Sequence, residues 1–141
     1  MIFIFIAMIF YTIAILFGVS ASRHANSNLV AALTNIVAAV IPLVVAAPLL
    51  NKKTIQNHRF GVLMALAAGV AIAIFAMAIV KSYSINKVGI VTPIIFGGAI
   101  FLSTILSYFI FKEKVTQLQL VGLVFLAVGF SLIIYSRATG K

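Results

Sequence analysis

Acid is nearly absent from this chain. Among 141 residues there is one, Glu113, against ten lysines and arginines, and there is no cysteine and no tryptophan. Without cysteine there is no disulfide and no thiolate nucleophile, and the redox compartment leaves no mark. Without a carboxylate inside any apolar run, the usual carrier of a coupling proton or a bound cation is missing. The two histidines, His24 and His58, fall in polar segments on opposite sides of a five-span chain, so they cannot share a metal, and Glu113 alone cannot complete a carboxylate site. No acid stands ready to pair with either histidine and no glycine-rich phosphate loop is present, so neither an enzyme nor a cofactor is expected. Polar residues are also scarce: 8% of the chain is charged and 65% is hydrophobic. A soluble domain carries about a quarter charged residues, and this composition cannot build a polar shell. The net charge of +9 does not point to nucleic acid, because the basic residues sit singly or in pairs at the ends of apolar runs and form no patch. They suit lipid headgroups instead. The first residues carry no Lys or Arg, and a cleavable signal peptide is not expected.

What is present is five long apolar runs. They cover about residues 2–19, 29–50, 60–80, 88–111 and 118–136. Each is near the ~20 residues an α-helix needs to cross a bilayer core of roughly 30 Å. The expected fold is therefore all-α, an integral membrane bundle of five transmembrane helices forming a single domain over 1–141. Polar turns are expected at Ser20–Asn28, Asn51–Arg59 and Lys81–Lys87, with a tight corner at Lys112–Thr116. Phe3, Phe10 and Phe17 recur at heptad spacing and give the first span one aromatic face.

Lipid tails are as apolar as leucine, so helices in a bilayer associate through close contact between small residues. The third span offers Gly61, Ala65, Gly69 and Ala73 at four-residue steps, and the fifth offers Gly122 and Gly129 on one face. These are read as helix-packing positions. Polar groups within spans are candidates for a solute path, since such groups usually face protein or water. They are Asn35 and Thr34 in the second span, Thr92, Ser103 and Ser107 in the fourth, and Tyr11 in the first. The competing reading is that hydroxyls bond back to their own helix and that Asn35 only joins helices. Pro42 and Pro93 are candidate helix breaks, leaving the carbonyls of Ala38 and Gly89 without their usual partners. Glu113 is expected to cap the start of the last helix, where a negative charge is favoured by ~0.3–1 kcal/mol.

An odd number of spans puts the termini on opposite sides. One side then holds Lys52, Lys53, Arg59, Lys112 and Lys114; the other holds Arg23, Lys81, Lys87, Arg137 and Lys141. Orientation normally follows an excess of Lys and Arg in the short cytoplasmic loops, and here there is none. Either something else sets the orientation, or the chain inserts both ways and pairs with an inverted copy, an arrangement that recurs among transporters.

The stretch TPIIFGGAIFLSTILSYFIFKEKVTQLQLVGLVFLAVGFSLIIYS resembles the closing helix pair of an EamA repeat in the drug/metabolite transporter superfamily. The likeness rests on Pro93 early in the fourth span, Phe111 and Glu113 at the corner, the Thr116-x-x-Gln119 step, and Gly122 and Gly129 beyond it. The segment ALTNIVAAVIPLVVAAPLLNKK is similar to the second helix of the same repeat. The small multidrug resistance proteins share the corner but have four spans and a first-helix glutamate that this chain lacks. The resemblance implies a single-repeat, five-span member in a prokaryotic inner membrane. Such a chain needs a second copy, so a homodimer, parallel or antiparallel, is expected, with spans one, three and four as walls. By implication it moves a small polar or amphipathic metabolite by alternating access, in efflux or exchange. The alternatives are a lipid-linked sugar flippase subunit and a non-transporting membrane assembly subunit.

Overall fold

A computed structural model describes residues 1–139, with backbone alone at 52–54 and 138. Lys141 of the charge tally lies outside the described residues, as do the side chains of Lys52 and Lys53. Among the described residues every regular element is helical: α1 (Ile2–His24), α2 (Ser27–Ala46), a 3-10 turn (Ala47–Leu49), α3 (Lys52–Asn57), α4 (Arg59–Ile85), α5 (Val88–Phe111) and α6 (Gln117–Thr139). Five of these are long and apolar enough to cross a membrane. The protein is a multi-pass integral membrane protein.

Helix occupies part of all three segments expected as polar turns. The segment after Val19, expected as a turn, stays helical to His24, and the one after Val80 stays helical to Ile85. The expected loop at 51–59 contains α3. The reason is that polarity marks where hydrocarbon ends and not where a helix must end. Ser22 Oγ donates to the carbonyl of Val19 at 2.9 Å, and His24 Nδ1 lies 2.8 Å from the carbonyl oxygen of Ser20. On α4, Ser82 and Ser84 bond back to Ala78 and Lys81 in the same manner. Such bonds let short polar side chains continue a helix into the headgroup region. The true stop after α1 comes at Ala25 and Asn26, where the Asn26 side chain accepts from the N–H of Asn28 and caps α2.

The chain divides into two compact units, one spanning Met1–Ile85 and the other beginning at Asn86. In the first, α4 packs on both α1 and α2. Its buried side chains are Val19 and Ser22 late in α1, Val30 and Ala31 at the start of α2, and Ile79, Val80 and Tyr83 late in α4. The two-residue turn between α1 and α2 holds those helices together there, and α4 completes the cluster. Elsewhere the unit is open. From Ala32 to Val45 only Asn35 is better than exposed, and from Leu63 to Phe75 every side chain of α4 is exposed.

The second unit is the α5–α6 hairpin. Its corner begins at Lys112, which takes the left-handed conformation (φ 56°, ψ 28°) and donates its N–H to Ser107 O. The cap on α6 is not made by Glu113. Thr116 Oγ1 accepts from the N–H of Gln119 at 3.3 Å while Gln119 Oε1 accepts from the N–H of Thr116 at 2.8 Å. This reciprocal pair is a capping box, and it satisfies two backbone donors that helix geometry leaves over. Glu113 lies four residues before the first helical residue, and the helix-end field fades within about one turn. At the far end of the hairpin, Arg137 donates to Asn86 Oδ1 at 2.6 Å.

Candidate functional site

In the first unit an open groove of about 440 Å³ lies between α1 and α2. Ala14, Gly18 and Ala21 give it one small-residue wall, and Thr34 and Ala38 stand on the other. A Cβ built on Gly18 would meet nothing within 4 Å. The groove therefore owes its width to small side chains. Two expectations from the sequence meet here. Thr34 lines the groove, and Ala38, whose carbonyl Pro42 cannot serve with an N–H, lies one turn further along the same wall. The Thr34 hydroxyl makes no hydrogen bond among the described residues. The groove thus pairs apolar walls with a hydroxyl and an under-served carbonyl, an arrangement able to take an amphipathic solute or a lipid chain.

Asn35 is not on that wall. It is half-buried, and its Nδ2 donates to the carbonyl of Ala31 at 2.8 Å, one turn back on the same helix. The bond spends one of its donors locally, whereas its Oδ1 accepts nothing among the described residues. Tyr11 is 44% exposed and stands within electrostatic reach of Tyr83 on α4, which is 3% exposed. Tyr83 was not legible as a path residue, because it sits in the polar segment that follows the third apolar run. Its burial brings a phenol into the α1–α4 seam.

In the second unit the hydroxyl candidates divide differently. Ser103 donates to Ile100 O and Ser107 to Thr104 O, both at 3.1 Å. Each is thereby committed to its own helix, and Ser107 serves the corner through its carbonyl as well. Thr92 is half-buried and has a partner of its own. Pro93 lines an open groove of about 270 Å³ with Gly97, Gly129 and Phe130. The structure does not gather Asn35, Thr34 and Tyr11 around one point, nor Thr92, Ser103 and Ser107.

The expected packing glycines behave unlike their neighbours in sequence. Gly61, Gly69, Gly122 and Gly129 have nothing within 4 Å of a built Cβ, and Ala65 and Ala73 are exposed. Within each unit these residues bring no helix close. The glycine that does is Gly97, where a Cβ would lie 3.2 Å from Cδ2 of Phe130 on α6. Four-residue spacing does not find Gly97; the Gly97-Gly98 doublet is the only signal it leaves.

A sequence model described as the EamA-like transporter family matches residues 1–135. Neither a curated protein nor a solved structure matches the chain.

Proposed function

The chain belongs to the EamA-like transporter family, and from that premise we propose that it is a transporter of a small polar or amphipathic metabolite, working by alternating access as a dimer of five-helix repeats. In this reading residues 1–141 act as one transmembrane domain in a prokaryotic inner membrane, and the second copy lies parallel or inverted. The observation that carries it is the family match, which reaches across both units and nearly the whole chain. Two further features support it. The α4 face bearing Gly61, Ala65, Gly69 and Ala73 is left exposed within its own unit, and small-residue faces are where membrane helices come together. The five-to-five division of basic residues gives orientation no bias. No carboxylate lies within a span, so transport proceeds as facilitated efflux or exchange in preference to proton antiport.

The test is counterflow in proteoliposomes preloaded with pools of small metabolites, read by mass spectrometry against protein-free vesicles. Selective exchange of one solute class is expected, with no stoichiometric change of lumenal pH. Asn35→Ala, which frees the Ala31 carbonyl and removes the amide, should slow that exchange severalfold at unchanged protein abundance. Strict coupling of flux to protons, or no solute exchanged above the protein-free vesicles, would end the proposal. Paired reporters at the C-terminus, one active only in cytoplasm and one only outside, decide between the two arrangements of the second copy: signal from both means an inverted pair.

A further inference from the structure

We propose that the groove between the start of α2 and the late turns of α4 binds one anionic phospholipid, headgroup at the rim and acyl chain on the floor. This open groove has a volume of about 510 Å³, within the ~300–1,000 Å³ usual for small-ligand sites. Its floor is Ile74, Met77 and Ala78, and its rim is Asn26, Ser27, Asn28 and Lys81. On α4 the positions 74, 77, 78 and 81 fall on one helical face. An apolar stripe therefore runs down from a cation. Ile74 is 64% exposed and Met77 53%, so that stripe is open along its length.

The rim is rich in unused donors. The Asn26 side-chain oxygen is spent on the N–H of Asn28. The Asn26 amide NH₂, the Ser27 hydroxyl, the Asn28 side-chain amide and the Lys81 ammonium make no hydrogen bond among the described residues. All can donate to phosphate oxygens, and a lysine ammonium does so as a point charge. Lys81 makes no ion pair among the described residues, and the one acidic side chain of the chain, Glu113, belongs to the α5–α6 corner. An anion from outside the chain supplies the charge. Lys81 lies four residues before the end of a membrane-spanning helix, a rise of about 6 Å, which is the depth of headgroups. Basic pockets between transmembrane helices take anionic headgroups at that level. A choline headgroup would instead place a second cation beside Lys81.

The site is tested by native mass spectrometry of the intact chain in detergent, titrated with phosphatidylglycerol or phosphatidylcholine. No transport assay enters, so the result stands apart from the reading above. We expect one phosphatidylglycerol to bind at least about fivefold more tightly than phosphatidylcholine, and Lys81→Gln to weaken it about fivefold, the effect of one basic residue at a membrane surface. Ala78→Phe, which fills the floor and leaves the charge, should weaken both lipids. Lys114→Gln, in the α5–α6 corner, should leave phosphatidylglycerol binding unchanged. Lys81 and Ala78 are exposed, and unchanged thermal midpoints confirm that the variants are folded. Equal losses from Lys81→Gln and Lys114→Gln would reduce the effect to diffuse surface charge and overturn the site. So would indifference to headgroup. Displacement of the lipid by excess inorganic phosphate, with Ala78→Phe neutral, would mark a free-anion site and equally overturn the lipid assignment.

Discussion

The two units solve helix packing in opposite ways. The α5–α6 hairpin is pinned along its length: a left-handed Lys112 and a Thr116–Gln119 capping box at the corner, Gly97 against Phe130 partway along α5, and Arg137 on Asn86 at the far end. The α1–α2–α4 unit is fastened at one cluster, around Ala31 (1% exposed) and Tyr83 (3% exposed), and is otherwise open. The contrast is plainest at one glycine from each unit. Gly97 meets Phe130 from the same hairpin. Gly69 meets nothing in its own unit. A small residue in a membrane helix is only half of a contact, and among the described residues the other half is supplied at Gly97 but not at Gly69, Gly122 or Gly129.

Substitution at those two glycines breaks the comparison most directly. Gly97→Leu must displace Phe130, and overpacking of this kind costs ~1–3 kcal/mol. The expected outcome is a thermal midpoint lowered by several degrees, with Gly97→Ala intermediate because the ring can yield by a few tenths of an ångström. A Gly97→Leu protein as stable as the parent would mean the hairpin is not held at that point. Next in size is the corner. Thr116→Ala removes the acceptor for the Gln119 N–H and should cost about 1 kcal/mol, seen as faster hydrogen exchange in the first turn of α6. Glu113→Gln should leave those amides nearly unchanged, since the capping bonds run through Thr116 and Gln119. The smallest effect on the single chain is expected from Gly69→Leu, within ~0.5 kcal/mol as for an unencumbered surface site. Its value is as a contrast. If copy-to-copy resonance energy transfer in liposomes falls while the midpoint holds, the open face of α4 is the seam with the second copy. If both hold, that face belongs to lipid.

Some of this was legible beforehand for a plain reason. Span number and the α5–α6 hairpin follow from uninterrupted apolar length, because bilayer thickness and helical rise leave one solution. The ends of α1 and α4 were not legible in the same way. Ser20 to His24 and Lys81 to Ile85 look like turns to a hydropathy reading, yet their side chains bond back along the helix and keep it going. The capping role went to the wrong residue for a related reason. Charge made Glu113 conspicuous, whereas the Thr116–Gln119 pair acts through hydrogen-bond geometry that only the register of α6 reveals. Among path candidates, Thr34 reaches a groove; Ser103 and Ser107 turn back to their own carbonyls. All three are hydroxyls in apolar helices, and composition cannot separate them.

Residue order alone settled that this is a five-span helical membrane protein without a buried acid, since hydrocarbon admits no other arrangement of so few polar groups. Tertiary structure alone decided which small residues touch a neighbour, which polar side chains remain free to meet another molecule, and where the helices stop. Those depend on how side chains project from rigid helices set at particular angles, and no one-dimensional spacing encodes that.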